Sequence, residues 1–259
     1  MSVKQIIKLI DSGTLFKHWE RDYSLFFCST WFVSHNIIAN SKKYGEGSLR
    51  LNLGVYFNGI SQYYRIAEDN ERFLEILAPK IKGNPKLKKE IFDNYSKYGD
   101  NMLSFFKEIE SKETFDAKFI NDFASVCANL VGYQLLIIHR SESYNKIFED
   151  RKDILEEIYN LRKKYESAFG LFETHYEILC KKLCKQLRFS KPEMLKLVTA
   201  EELKEFVRTG NFPDNLNERK RLVIFSHIPK TEIYFGDKAD LILKQIRKNE
   251  EKKEMCGIR

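Results

Sequence analysis

The sequence predicts a mainly helical protein of the α+β class. Apolar residues recur every three or four positions over long stretches between residues 69 and 187, as they do on one face of a helix. Only 12 glycines and 5 prolines interrupt the 259 residues. Two short regions, 49–66 and 221–236, instead carry strand and hairpin patterns. We therefore expect a helical bundle with long antiparallel helices, a small N-terminal strand pair and a C-terminal β-hairpin.

Composition and charge narrow the class of protein. Hydrophobic residues make up 43% and charged residues 31%, which is typical of a folded chain rather than a disordered one. The formal charge of +7 is the difference between 44 basic and 37 acidic residues. The densest basic run, Lys80–Lys89, has no interleaved aromatic residues and is followed by Glu90. This pattern favours a solvated helix start over a nucleic-acid patch, and it leaves nucleotides and other phosphorylated compounds as compatible partners.

The five cysteines form no CxxC pair, and their odd number argues against a disulfide framework. No unbroken apolar segment reaches the roughly 18 residues of a membrane-spanning helix. The first eleven residues have apolar positions at helical spacing, which predicts a short amphipathic helix rather than a signal peptide. We expect reduced thiols, a cytoplasmic location and no membrane partner.

Residues 1–68 are predicted to form an aromatic-rich segment packed on the bundle. Leu25–Ile38 is nearly all apolar or small and is longer than a usual buried strand, so it predicts a buried helix. Leu49–Leu53 alternates apolar and polar residues like a half-buried strand. Asn58-Gly59 is a strong hairpin-turn signal, with Ile60–Ile66 as the returning strand.

Residues 69–190 carry the strongest helical periodicity and are predicted to form the bundle. The expected helices are Glu71–Ile81 with Asp69 as its N-cap, Lys86–Glu110, Phe115–Ile138 and Arg151–Leu187. The last of these would be unbroken and roughly 50 Å long. Its apolar stripe predicts one arm of an antiparallel helical hairpin.

Residues 191–243 have dense start and stop signals and are predicted to form a small helix and hairpin subdomain, followed by a solvated linker at 244–259. Ser190 before Pro192 predicts a helix cap, and the Thr199–Glu202 capping pattern opens a helix over Glu201–Val207 that ends at Gly210. A β-hairpin is expected to turn near Pro229-Lys230, and Asp237 is the predicted cap of the last helix.

Motifs of known catalytic chemistry are missing from the sequence: it has no Walker loop, GxGxxG, GxSxG or HExxH. His175 lies about 140° around the helix from Cys180, so with Cys184 it makes a poor metal site, and we expect core cysteines and no metal. His139-Arg140 follows an apolar helix, where a cation interacts favourably with the helix end. No catalytic residue is assigned.

The candidate binding residues are Trp19, Arg21, Asp22 and Tyr23, just before the apolar segment. An arginine beside aromatic faces suits the recognition of phosphate or carboxylate groups. The alternative is a buried structural ion pair between Arg21 and Asp22.

Three segments of the C-terminal part carry a family resemblance. Leu161-Arg162, Met194–Leu203 and Asn217–Lys220 resemble, in order and spacing, the segment that precedes the phosphohistidine domain in phosphoenolpyruvate (PEP)-utilising enzymes. That family includes phosphoenolpyruvate synthase, pyruvate phosphate dikinase and the rifampicin phosphotransferase-like proteins. Cys256–Arg259 looks like the start of the entry to the swivelling domain. The match covers roughly residues 150–259.

The resemblance implies an accessory or substrate-side helical domain of a PEP-utilising-type phosphotransferase, a non-catalytic fragment without the ATP-grasp and phosphohistidine domains. The family's carrier histidine follows Thr-Ser, and none of the five histidines here does. The implied partners are a swivelling phosphohistidine domain, in cis or in trans, and a small anionic substrate. No cofactor is expected in this segment, and ATP and Mg are compatible only with a longer full-length protein. Two other hypotheses stay open. One is a free-standing helical interaction module that uses the apolar stripe of the Arg151–Leu187 helix to bind a partner or to form a homo-oligomer, and the other is a small anionic-ligand-binding domain.

Overall fold

Helices dominate the fold, with one antiparallel sheet, as the sequence predicts. The computed structural model describes residues 2–35, 38, 40–137, 146, 148–227 and 231–255. The helices are α1 (Val3–Ser12), α2 (Leu25–Ser34), α3 (Ala67–Gly83), α4 (Pro85–Ser111), α5 (Ala117–Ile137), α6 (Lys152–Lys164), α7 (Glu166–Gly170), α8 (Phe172–Leu187), a 3-10 helix (Pro192–Leu197), α9 (Ala200–Thr209), α10 (Leu216–Arg219) and α11 (Asp237–Met255). The strands are β1 (Leu15–Arg21), β2 (Asn52–Phe57), β3 (Ile60–Ile66), β4 (Leu222–His227) and β5 (Thr231–Tyr234).

The predicted strand pair and the predicted hairpin belong to one sheet. Its order is β1-β3-β2-β4-β5, and every neighbouring pair is antiparallel. The Asn58-Gly59 turn joins β2 to β3 as predicted, and both residues have the positive φ that such a turn requires, 49° and 86°. The first of these strands begins at Asn52 rather than at Leu49.

The sheet separates two apolar cores. One face is covered by α1 and α11, whose Ile6, Ile10 and Ile246 are fully buried against strand residues such as Ile224. The other face packs on the bundle, where α2 approaches β2 so closely that a Cβ added to Gly54 would lie 2.3 Å from Phe32 Cζ. The alternation of side chains along each strand supplies both cores.

The predicted linker at 244–259 is wrong in its described part, because α11 remains helical through Met255. The lysine- and glutamate-rich composition of this segment suggested a solvated linker, although its Ile246 is fully buried. The Asn249 side-chain amide donates to the Ile10 carbonyl at 2.9 Å, which fastens α11 to α1.

The single long helix predicted for Arg151–Leu187 is also wrong. The chain forms α6, α7 and α8, with breaks at Tyr165 and Leu171. Tyr165 is fully buried, and a Cβ added to Gly99 of α4 would lie 2.3 Å from its ring. Its hydroxyl donates to Asp100 at 2.8 Å. Burial of this large ring against α4 accompanies the first break.

Other boundaries follow the sequence in part. The Thr199–Glu202 capping box is present, and Gly210, with φ 77°, ends α9. Asp69 does not cap α3. It lies buried in the first turn, where it accepts from the Arg50 backbone at 2.9 Å and from the Arg50 side chain at 2.6 Å.

Ser190 makes no cap either, since the helix after it is a 3-10 helix preceded by Lys191. The buried helix predicted for Leu25–Ile38 is present as α2, Leu25–Ser34. Within the described residues, no helix has the length and apolar character that a membrane crossing requires.

The basic run of residues 80–89 does not form an unpaired cationic patch. The ion pairs of this run are Lys80–Glu46, Lys82–Asp150, Lys88–Glu157 and Lys89–Asp93. These pairs are exposed and contribute little stability, and they fit a solvated helical surface.

Candidate functional site

A cleft lies between β1 and α2 on one side and α5, α6 and α7 on the other. It consists of two adjoining cavities of 330 Å³ and 550 Å³ that share Gln134, Arg162 and Phe169. We call the first the aromatic lobe; its other lining residues are His18, Trp19, Arg21, Tyr23, Trp31 and Leu135. We call the second the basic lobe; its other lining residues are Tyr95, Tyr159, Lys163 and Glu166. Both volumes fall in the range of small-molecule sites.

A β-bulge in β1 turns the key side chains towards this cleft. Lys17 pairs with Tyr64 and Trp19 with Tyr63, so the register shifts at His18. Without the extra residue, Trp19 and Arg21 would share the face of Leu15, which packs towards α1 and α11. The bulge places them on the face of the bundle instead, because a shift of one residue exchanges the two faces of a strand.

The aromatic lobe is built on a cluster of rings. The Trp19 centroid lies 5.2 Å from that of Trp31 and 5.5 Å from that of Tyr23, both with edge-to-face geometry. Such contacts hold the rings in place. Burial raises the pKa of Tyr23 to about 12, and the positive charge of Arg21 opposes that rise. Tyr23 therefore stays a neutral hydroxyl at physiological pH.

The charges around the cleft are mainly positive. Arg21 is exposed, and its guanidinium donates to the Glu20 carbonyl at 2.7 Å but forms no ion pair among the described residues. Arg162 is half-buried and lines both lobes, and Lys163 adds a third cation. Glu166 is the one carboxylate among the described lining residues. The lining thus carries an excess of cations that suits an anion.

A buried polar cluster lies behind the aromatic lobe. Arg65 is fully buried and donates to the Tyr63 hydroxyl at 2.8 Å and to Asn70 Oδ1 at 3.0 Å. Its third contact, at 3.3 Å, is with His35 Nε2. Among the described residues, no carboxylate pairs with this guanidinium. A buried cation without a counter-ion is unusual, because removing a charge from water is costly.

The electrostatic effect of Arg65 reaches the lobe. The Tyr63 ring lies 4.9 Å below the Arg65 guanidinium and has its centroid 5.7 Å from that of Trp19 and 5.8 Å from that of His18. Desolvation and then the charge of Arg65 lower the pKa of His18 well below 6.5, although the residue keeps contact with solvent. His18 is therefore neutral near pH 7, with both a donor and an acceptor nitrogen.

Three of the four residues selected from the sequence line the cleft. Trp19, Arg21 and Tyr23 face the aromatic lobe, whereas Asp22 is exposed beside it and does not line it. The alternative of a buried ion pair is wrong, since Arg21 and Asp22 are both exposed and do not pair. The ligand-binding role of the four residues stays a prediction.

Sequence reasoning missed the opposite wall. The unbroken helix predicted over Arg151–Leu187 gave Arg162, Lys163 and Phe169 no part in a binding cleft. On the near side, the buried helix predicted over Leu25–Ile38 gave none to Trp31. Tyr159 and Arg162, one helical turn apart, repeat the combination of aromatic ring and arginine that drew attention to Trp19 and Arg21. That signal would have found α6.

The residues considered for a metal site have other surroundings. The His175 ring stacks on Phe106 with centroids 4.2 Å apart, and its Nε2 lies 3.1 Å from Glu110 Oε1. Cys180 and Cys184 are buried in the core, as expected. The part of the chain that the structure describes holds no group of three or more metal-ligating side chains. His139-Arg140, the turn at Pro229-Lys230 and Cys256–Arg259 lie outside the described residues.

Two of the segments that carry the family resemblance meet in the fold. Arg219, almost fully buried, donates to both carboxylate oxygens of Glu202 at 2.6 and 2.7 Å and to the Leu197 carbonyl at 3.1 Å. This bidentate pair fixes α9 to α10, which is a structural role.

No protein-family model matches the chain, and comparisons with curated proteins and with solved structures give no match.

Proposed function

We propose that this chain binds a small anionic compound in the cleft, as the substrate-side domain of a PEP-utilising-type phosphotransferase. The observation that carries the first part is the Arg21 guanidinium, which has no carboxylate partner among the described residues and faces the same cleft as Arg162 and Lys163. Arginine and lysine bind carboxylate and phosphate groups through charge-assisted hydrogen bonds. The buried Arg65 adds positive potential from behind.

The contribution to phosphoryl transfer is positioning. The domain holds its ligand while a swivelling histidine domain, in cis or in trans, carries the phosphoryl group. Orientation of a reactant is itself a large part of catalysis. The order of Leu161-Arg162, Met194–Leu203 and Asn217–Lys220 supports this part of the proposal, and Arg162 belongs to both lines of support. ATP and Mg belong to other domains of a full-length protein.

Thermal unfolding with added ligand tests the proposal. Inorganic phosphate and PEP should raise the melting temperature saturably, since a ligand at a hundredfold excess over its Kd adds about 2.7 kcal/mol. Arg21→Ala should abolish this rise and leave the unliganded melting temperature unchanged, because Arg21 is exposed.

Arg208→Ala is the matched control. It removes an equal charge from α9, where Arg208 pairs with Glu205, and should preserve the ligand response. If neither anion raises the melting temperature, or if Arg21→Ala and Arg208→Ala behave alike, the proposal is wrong.

The interaction-module hypothesis receives less support. It required the apolar stripe of 151–187 to face a partner, but Ile154, Ile158 and Leu179 are buried in the chain's own core. A stripe that is already buried has no free apolar face to offer.

A further inference from the structure

The two lobes of the cleft differ in chemistry and share a wall. Trp19, Tyr23, Trp31 and Phe169 line the aromatic lobe, and each is only partly buried, so part of each residue remains exposed. Arg162 lines both lobes, and Lys163 lines the basic one. One ligand can therefore contact rings and cations together.

The size and lining exceed what a simple anion uses. An inorganic phosphate needs cations and hydrogen-bond donors but gains little from four aromatic side chains. A purely apolar ring needs no cluster of cations. The lobes of 330 Å³ and 550 Å³ have room for a ligand with two unlike parts.

We propose that the ligand is a planar ring joined to a phosphate, with a nucleoside monophosphate as the representative of its class. This inference rests on the proposed function of anion binding. The ring packs on the aromatic lobe, where Trp19 and Trp31 are both partly exposed, and stacking on an aromatic side chain accepts any nucleobase. The phosphate is held by the cations Arg21, Arg162 and Lys163, since a guanidinium binds phosphate oxygens in a bidentate manner.

Two polar groups of the aromatic lobe suit the edge of such a ring. The indole Nε1 of Trp19 is buried and donates to no acceptor among the described residues. An unmade buried hydrogen bond is costly, and a turn of the indole that brings this N–H to the lobe lets a ring nitrogen or carbonyl of the ligand accept from it. His18, which lines the same lobe, presents one donor and one acceptor nitrogen when neutral.

The tryptophans supply a direct test, because the two in the chain both line the aromatic lobe. Tryptophan fluorescence therefore reports on this lobe alone. It is followed while the protein is titrated with AMP, with adenosine, which lacks the phosphate, and with ribose 5-phosphate, which lacks the ring. AMP should quench the fluorescence and bind more tightly than either fragment by roughly tenfold or more.

Variants of the lining residues show which lobe binds the ring of the ligand and which cations bind its phosphate. Trp19→Phe and Trp31→Phe each keep an aromatic ring and should each remove part of the AMP-dependent quenching. Lys163→Ala should weaken AMP and ribose 5-phosphate but not adenosine. Lys185→Ala, which removes an exposed charge from α8, is the matched control and should change none of the three affinities. The unliganded melting temperature of each variant shows that it is folded.

The outcomes separate this inference from the proposed function. If ribose 5-phosphate binds as tightly as AMP, the ring contact is wrong and anion binding stands. If PEP or phosphate raises the melting temperature while AMP does not bind, the ligand class is wrong and anion binding again stands. If adenosine binds as tightly as AMP and no anion has an effect, both are wrong.

Discussion

Glu173 is a half-buried residue with one buried carboxyl oxygen, and neutralising it should stabilise the protein at neutral and alkaline pH. It lies in the first turn of α8 and accepts from the Ser24 backbone N–H and hydroxyl, both at 2.8 Å. It thereby holds the N-terminus of α2 against α8. Its other oxygen, Oε2, is buried and has no hydrogen-bond partner in the part of the chain that the structure describes.

The environment of Glu173 favours the protonated acid. Burial raises its pKa from 4.5 to about 7, although the Ser24 hydrogen bonds and the charge of Lys196 act in the opposite direction. The folded state therefore binds a proton at pH values where the unfolded chain has lost it. The stabilisation that comes from binding this proton at Glu173 is fully present below pH 4.5 and is lost as the pH rises through 7.

The magnitude follows from the two pKa values. The step from 4.5 to about 7, at roughly 1.4 kcal/mol per pH unit, gives an upper limit of about 3 kcal/mol. Glu173→Gln keeps the oxygen that accepts from Ser24 and cannot ionise. The variant should match the wild type near pH 5 and exceed its free energy of unfolding at pH 8 by up to about 3 kcal/mol.

Urea unfolding between pH 5 and pH 8 measures the difference in free energy of unfolding between Glu173→Gln and the wild type. The other titrating groups are the same in both proteins, so their contributions cancel in this difference. Glu177→Gln, one turn further along α8, is the control with the opposite sign. Lys196 holds the pKa of Glu177 below its usual value through a salt bridge. Its neutralisation should lower stability slightly at pH 8, by about 1 kcal/mol or less because the pair is largely exposed. Parallel pH profiles for the wild type and Glu173→Gln would refute the reasoning.

Two further predictions concern packing and a buried ion pair, and both are measured by urea unfolding. Arg219→Ala should lower the free energy of unfolding by about 3 kcal/mol, because it leaves the largely buried Glu202 carboxylate without its counter-ion. A loss under about 1 kcal/mol would contradict the structural role of the pair. Gly99→Ala should be destabilising by about 1–3 kcal/mol, because its Cβ would lie 2.3 Å from the Tyr165 ring. Gly83→Ala, which meets nothing within 4 Å, is the matched control and should be neutral or stabilising; equal behaviour of the two variants would show that Tyr165 does not pack as described.

Local patterns predicted the local parts of the fold. The helix expected at Lys86–Glu110 is α4, Pro85–Ser111, because its periodicity is a property of neighbouring residues. The structure adds a local start, an Asn84 cap followed by Pro85 in the first turn. The Thr199 capping box and the Asn58-Gly59 turn depend on residues at most three positions apart, and both are present. No packing partner was needed to recognise them.

Features that depend on distant residues could not be predicted in this way. The breaks in α6–α8 accompany the packing of Tyr165 on Gly99, which lies 66 positions earlier in the chain. The strand β1 lacks a regular alternation because the bulge at His18 interrupts it. The buried side of α11 depends on α1, at the other end of the chain, so its lysine-rich sequence suggested a linker.

The candidate site likewise has one part that local sequence patterns predict and one part that depends on distant residues. Trp19, Arg21 and Tyr23 lie in one short segment whose combination of aromatic rings and arginine is visible in sequence. The facing wall comes from α5 to α7, more than 100 positions later, and only folding brings Arg162 to the same cleft. Arg65 could not have been recognised, since an arginine in a strand is ordinarily expected on the solvent side.

Arg65 gives a physical reason why a binding site should lie at this end of the sheet. Burial of the Arg65 guanidinium costs free energy that the fold does not recover through an ion pair within the described residues. The nearby cleft is lined by further cations, so an anion there interacts favourably with Arg21, Arg162 and Arg65 at once. The mutual repulsion of these cations in the unliganded protein would be offset by their attraction to a bound anion. If an anion binds there as we propose, its binding and the stability of the sheet are linked, and anions should raise the melting temperature.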